Sequence, residues 1–118
     1  MNAVNWKHIL VAGSCRGVTA YFFVDSGSAV SIVSTSFVKG LGVESGIRPC
    51  NMTLKSFSQD TIQIRGEIEL HVIVAGNRFV HTFVVTDLLD TEFLIGDDFL
   101  RSNRMNLDYR SCKLSLPN

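Results

Sequence analysis

Between residues 62 and 74 the chain follows a two-residue period. Ile62, Ile64, Ile68, Leu70, Val72 and Val74 fall on even positions, with Gln63, Arg65, Glu67, Glu69 and His71 between them. That period suits an extended strand with one face buried, and it excludes an amphipathic helix, whose apolar residues recur every three or four positions. Gly76-Asn77 then precedes a second apolar run, Phe79-Val80-His81-Thr82-Phe83-Val84-Val85. The pair predicts a long hairpin with its tight loop at Gly76-Asn77, the glycine supplying a positive φ.

Two more hairpins follow from the same reasoning. His8 to Ala12 and Val18 to Val24 are β-branched and aromatic runs separated by Gly13 and Gly17. Met52 to Lys55 and Thr61 to Ile64 flank Phe57-Ser58-Gln59-Asp60, and a final pair of short strands is expected in Met105 to Tyr109 and Lys113 to Leu116. Helical pattern is scarce. Ser34 to Leu41 offers about two turns, and Asp97 to Arg104 has an acidic first turn with Arg101 and Arg104 near its end, as the helix dipole favours. The reading is an all-β, mostly antiparallel fold with one or two short helices.

Composition bounds the function. The chain has 118 residues, 46% hydrophobic and 19% charged, enough apolar surface for one core and too little charge for disorder. Its two prolines, Pro49 and Pro117, mark no linker, so residues 1–118 are read as a single domain. Eleven basic and eleven acidic residues give a net charge of zero, which argues against a nucleic-acid partner. Cys15, Cys50 and Cys112 form no C-x-x-C pair, and His8, His71 and His81 share no ligand spacing with them, so no metal site is expected. The cysteines read as structural thiols of a reducing compartment, with one unpaired reactive thiol as the alternative. The apolar run Ile9 to Cys15 is about half the length a signal peptide needs and is followed by Arg16. No export signal and no membrane span are read, and the expected location is cytoplasmic. A domain this small buries a modest share of its surface, so a second copy would be physically useful.

The chemistry centres on Tyr21-Phe22-Phe23-Val24-Asp25-Ser26-Gly27-Ser28-Ala29-Val30-Ser31-Ile32-Val33. A carboxylate is presented at the end of an apolar strand, in a tight turn. Burial there would raise its pKa, Gly27 permits close backbone approach, and the hydroxyls of Ser26 and Ser28 can bond across the turn to fix it. Alone, Asp-Ser-Gly is also an ordinary turn. A second element shifts the reading: Thr91-Glu92-Phe93-Leu94-Ile95-Gly96-Asp97-Asp98-Phe99-Leu100 repeats the order of apolar strand, glycine and short helix.

Val24-Asp25-Ser26-Gly27-Ser28, followed about 70 residues on by Leu94-Ile95-Gly96-Asp97-Asp98-Phe99-Leu100, resembles the retropepsin-like aspartic proteases of retroviruses and LTR retrotransposons and cellular relatives of the DNA-damage-inducible protein type. The resemblance runs from about Ile9 to Leu116. It implies a closed β-barrel of the acid-protease kind with a flap hairpin, and a two-fold symmetric homodimer in which Asp25 meets its symmetry mate. By resemblance Asp25 is the catalytic acid or base, Ser26 grips the partner's backbone, and the Gly27 carbonyl bonds the bound peptide. Ser28, at a position often held by alanine, is free to bond Asp25. Met52 to Ile64 matches the flap, with Ser56, Phe57 and Ser58 near its tip, and Ile95, Gly96 and Asp98 form the supporting motif. The implied substrate is an extended peptide or polyprotein, cut at mildly acidic pH without a cofactor.

Several alternatives stay open. The flap departs from the retroviral pattern, having no glycine before Gly66, and Phe57 is equally well read as a packing residue. Asp97 and Asp98 are read as helix-start acids in preference to metal ligands, since neighbours on a helix diverge. Glu44-Ser45-Gly46, without a preceding apolar strand, is read as loop. The C-terminal strands suit either a dimer sheet or an intramolecular edge. Rivals to the protease are a non-catalytic dimerisation or peptide-binding module and a subunit that pairs with a different chain.

Overall fold

The computed structural model describes residues 9–55, 61–87, 90–108, 110–111 and 113–117. In chain order the elements are β1 (Ile9–Cys15), β2 (Val18–Val24), β3 (Ile32–Ser34), α1 (Thr35–Leu41), β4 (Leu54–Lys55), β5 (Thr61–Ile62), β6 (Ile64–Val74), β7 (Asn77–Thr86), β8 (Phe93–Ile95), α2 (Asp97–Ser102), β9 (Asn106–Asp108) and β10 (Lys113–Ser115). Six strands close a barrel in the order β1-β2-β8-β3-β7-β6, sealed by β1 against β6. Closure leaves no unpaired edge in that sheet.

From Ile64 to Val74 the long ribbon forms as its period predicts, with Ile68, Leu70, Val72 and Val74 buried and Glu69, His71 and Ile73 facing out, whereas Ile62 belongs to the separate strand β5. Its loop lies one residue earlier than predicted. Ala75 and Gly76 occupy it, at φ of 52° and 78°, and Asn77 already pairs with Val74. Two consecutive left-handed residues match the right-handed twist of a hairpin, and the β1–β2 loop repeats the device with Arg16 at 52° and Gly17 at 81°. Gly13, a predicted break, lies inside β1. A Cβ there would stand 2.1 Å from the Ile73 carbonyl oxygen and 2.7 Å from the Phe22 ring, so the glycine is what lets β6 close on β1. His8, the predicted start of that strand, lies outside the described residues.

Two pairings are parallel: β2 with β8 from Phe22–Phe93 to Val24–Ile95, and β3 with β7 from Ile32–Val84 to Ser34–Thr86. They bring the segment after β2 beside the end of β8. Phe22 stacks on Phe93 at 4.4 Å between centroids, and Phe83 meets Phe93 edge-on at 5.1 Å. These rings fix the barrel interior behind the two motifs.

The helices are short and capped. Ser34 accepts from the Phe37 N–H at the start of α1, and Gly42, at φ 73°, ends it. α2 stops at Ser102, before the predicted Arg104, where Asn103 donates its side-chain amide to the Phe99 carbonyl. Glu44-Ser45-Gly46 forms a single 3-10 turn. A bulge between Ile64 and Gly66 interrupts the β6–β7 ladder, and Arg48 and Glu67 exchange both backbone bonds at 2.8 Å beside it. β4 and β5 pair as Leu54–Ile62 and Lys55–Thr61, the base of the predicted flap hairpin; Ser56, Phe57 and Ser58 lie outside the described residues. β9 and β10 pair within the chain, and Leu107, Leu114 and Leu116 pack against the core. Cys15 is buried in that core, where burial pushes its thiol pKa up against the opposing pull of Arg16. Among the described residues no helix is long and apolar enough to cross a membrane.

Candidate active site

Asp25 follows the last residue of β2, and its N–H donates to the Ile95 carbonyl at 2.9 Å, extending the parallel ladder by one residue. Its own carbonyl accepts from the Ser28 N–H at 3.1 Å, which closes a turn over Ser26 and Gly27. The Gly27 N–H donates to Asp25 Oδ1 at 2.9 Å. A carboxylate on a flexible stem is thereby held by its own turn. A Cβ on Gly27 would sit 3.2 Å from that oxygen, tighter than ordinary contact.

Two expectations about this turn change. The Ser28 hydroxyl donates to the Val30 carbonyl at 2.8 Å, so it shapes the loop and not the carboxylate. Asp25 is half-buried, not enclosed, and Ser26, Gly27 and Ala29 are exposed. β2 runs through the core, but its end emerges at the barrel surface, so the apolar surroundings inferred from the preceding strand stop one residue short.

The second motif braces the first. The Asp97 N–H donates to the Ser28 carbonyl at 2.7 Å, and the Gly96 N–H donates to Ser31 Oγ at 2.9 Å. Gly96 is pressed so closely to the loop that a Cβ would stand 2.3 Å from the Val30 oxygen and 2.7 Å from the Ser28 oxygen. Together with the Asp25–Ile95 bond, three contacts clamp segments about 70 residues apart.

Asp98 is the hub behind the clamp. Its Oδ1 accepts from the Ser31 hydroxyl at 2.7 Å and from the Phe99 N–H at 2.7 Å. His81 Nε2 lies 2.9 Å from Oδ2. Partial burial opposes the charged form, but hydrogen bonds from His81 and Ser31, the charge of His81 and the Phe99 N–H outweigh it and hold the carboxyl below the usual carboxylate range. Asp97 bonds Arg101 one turn on, at 2.6 Å. Both acids sit in the first turn of α2, as their helix-start reading requires, and Asp98 adds a tertiary role.

Ser31 and His81 are the residues that sequence reasoning missed. A signal was present for each. Ser31 is the polar residue inside the apolar stretch Val30-Ser31-Ile32-Val33, and it is fully buried. His81 shares the inward parity of Phe79 and Phe83, and it packs edge-on against Phe83 and Phe99 at 5.3 and 5.0 Å. A buried polar group needs a partner, and these two share Asp98.

Comparison with known proteins agrees with this geometry. Residues 11–102 match the family described as gag-polyprotein putative aspartyl protease. The chain is 34% identical over 98 residues to Protein DNA-DAMAGE INDUCIBLE 1 of Arabidopsis thaliana, an alignment covering 80% of this chain and 23% of that protein. It thus spans less than a quarter of that relative's length. The fold is similar to the retroviral protease-like domain of Ddi1 from Leishmania major, with a TM-score of 0.76 and 24% identity over 94% of this chain and 90% of that one. It is also similar to EIAV protease complexed with the inhibitor HBY-793, with a TM-score of 0.64 and 13% identity over 86% and 93% of the two chains. A retropepsin-like aspartic protease from Rickettsia conorii gives 0.64 and 20% identity over 86% and 76%.

Proposed function

The chain belongs to the gag-polyprotein aspartyl protease family, with a retropepsin-like fold, and from that premise we propose that it is an aspartic endopeptidase active as a homodimer. The observation that carries this reading is the lone Asp-Ser-Gly turn, held at the end of a strand with its carboxylate half-buried and its neighbours exposed. Peptide hydrolysis by this chemistry needs two carboxylates, and one chain supplies one such turn. A second copy, related by a two-fold axis, brings in the other Asp25.

Two carboxylates in contact cannot both be ionised, so the pair holds one proton. The ionised member takes a proton from water as its oxygen attacks the scissile carbonyl carbon, while the protonated member donates to the carbonyl oxygen. Return of a proton to the amide nitrogen and cleavage of the C–N bond release the two products. In this reading Ser26 holds the partner's backbone beneath the dyad and the Gly27 carbonyl accepts from the substrate. The hairpin carrying Ser56, Phe57 and Ser58 covers an extended peptide bound as an added strand. Ile95, Gly96 and Asp98 brace the turn. No step calls for a cofactor or metal. Residues 1–118 act as one domain, and polyprotein processing is the natural use.

The test is cleavage of a mixed peptide library between about pH 4 and 7 by wild type and Asp25→Asn, with oligomeric state recorded in the same samples. Cutting that vanishes in Asp25→Asn while the dimer persists supports the protease. A well-folded wild-type dimer that cuts nothing across that range supports a non-catalytic dimerisation or peptide-binding module instead.

A further inference from the structure

The mechanism above leaves unexplained why a buried serine and a partly buried histidine stand behind the catalytic loop. Asp98 is ionised at neutral pH and therefore only accepts hydrogen bonds, which fixes the direction of every bond around it. His81 donates through Nε2 to Oδ2, and the Ser31 hydroxyl donates to Oδ1. Because the Ser31 proton is committed to Asp98, its oxygen is left to accept from the Gly96 N–H. The result is a directed series from Gly96 through Ser31 to Asp98, anchored at its far end by an imidazole wedged between Phe83 and Phe99. Among the described residues Asp98 is the ionisable group shown in contact with His81.

We propose that Ser31, Asp98 and His81 are positioning residues for Asp25: they lock Gly96 against the 28–30 loop and so fix the turn that aims the carboxylate. This rests on the protease reading for its catalytic consequence but not for its structural one. Ser31 and His81 thereby join Gly96 and Asp98 as the brace of the turn, set apart from Ser26, Gly27 and the hairpin, which are assigned to the partner chain and the substrate. Loss of the brace lets the loop retreat from Gly96, where backbone oxygens now approach within 2.3 Å of the missing Cβ position. Misplacement of a reacting group by about 1 Å costs on the order of 100-fold in rate.

The experiment compares Ser31→Ala, His81→Leu and His81→Gln with wild type by amide hydrogen exchange and by peptide cleavage. Glutamine keeps an N–H donor for Asp98, whereas leucine removes it while keeping apolar bulk. Expected in Ser31→Ala and His81→Leu is at least a tenfold rise in exchange at the Gly27 and Ser28 amides, with amides in the middle of β6 and β7 unchanged. The turnover number should fall roughly 10- to 100-fold at nearly constant KM, and His81→Gln should restore most of both. Should Ser31→Ala not fold, the His81 pair decides the matter. Unchanged exchange at Gly27 and Ser28, a uniform rise throughout the barrel, or a glutamine variant no better than leucine overturns the proposal. If wild type cuts no peptide, the protease reading fails on that result alone, and the exchange data still decide whether the series holds the loop.

Discussion

Replacing Gly96 by alanine tests the clamp between the two motifs directly. The added methyl would stand 2.3 Å from the Val30 oxygen and 2.7 Å from the Ser28 oxygen, where ordinary contact begins at 3.4 Å. Both obstacles are backbone, so no rotamer change relieves them, and the loop must withdraw by about 1 Å. Withdrawal stretches the Asp97–Ser28 and Gly96–Ser31 bonds, now 2.7 and 2.9 Å. Overpacking costs about 1–3 kcal/mol, and two weakened hydrogen bonds add about 1 kcal/mol each. The sum is about 3–5 kcal/mol. With an unfolding entropy of about 2.1 cal/mol/K per residue over 118 residues, each kcal/mol shifts Tm by about 4 °C. Gly96→Ala should therefore lower Tm by about 12–20 °C in thermal unfolding at fixed protomer concentration. Gly40→Ala is the control, since it lies in α1 with nothing within 4 Å of its added Cβ. Alanine is favoured in a helix by about 0.5–1 kcal/mol, so Tm should rise by about 2–4 °C. A Gly96→Ala protein that melts with wild type would refute the close approach on which the clamp rests.

Asp98→Asn should cost about 1–2 kcal/mol near neutral pH in denaturant titrations. Because the folded chain holds the Asp98 carboxyl below its usual range, that stabilisation is full above the unfolded value of about 3.9 and is lost as pH falls through the folded one. The gap between wild type and variant should narrow below about pH 4, and a gap independent of pH would contradict the ionised Asp98. At the surface, the Arg65 guanidinium bonds Asp87 at 2.6 Å and is the largest of the groups that hold its carboxyl down at about 2. Arg65→Ala should return the Asp87 titration, followed by carboxyl NMR, toward the ordinary value with little change in Tm, since exposed pairs contribute little. An Asp87 that still titrates near 2 would show that Arg65 is not the main cause.

The parts of this fold that were legible in the sequence are those set by local physics. The alternation from Ile62 to Val74 places β6, and the retropepsin likeness of Val24–Ser28 and Leu94–Leu100 matches the barrel found. Most of what was not legible depends on contacts between distant segments. The loop at Ala75-Gly76 needs two left-handed residues, and an alanine does not advertise that it will adopt one. Gly13 resembles a breaker until β6 is known to cross it. The parallel pairings of β2 with β8 and β3 with β7 join segments far apart in sequence, and nothing within either segment names its partner. Nearness in sequence points Ser28 at the carboxylate, whereas its hydroxyl goes to Val30. Ser31 and His81 belong to the brace of the site, yet their meeting at Asp98 joins three segments far apart in sequence, and only the place of Ser31 in an apolar stretch and the inward parity of His81 signal them.

The central claim, that each active site is assembled from two copies, is tested most directly by mixing. Wild type at fixed concentration is titrated with Asp25→Asn, and peptide cleavage is measured after the subunits have exchanged. If every site needs one Asp25 from each chain, a tenfold excess of the variant leaves about one wild-type protomer in eleven with a wild-type partner, and activity falls about tenfold. Activity that stays constant as the variant is added would contradict the claim and place a complete site within a single chain.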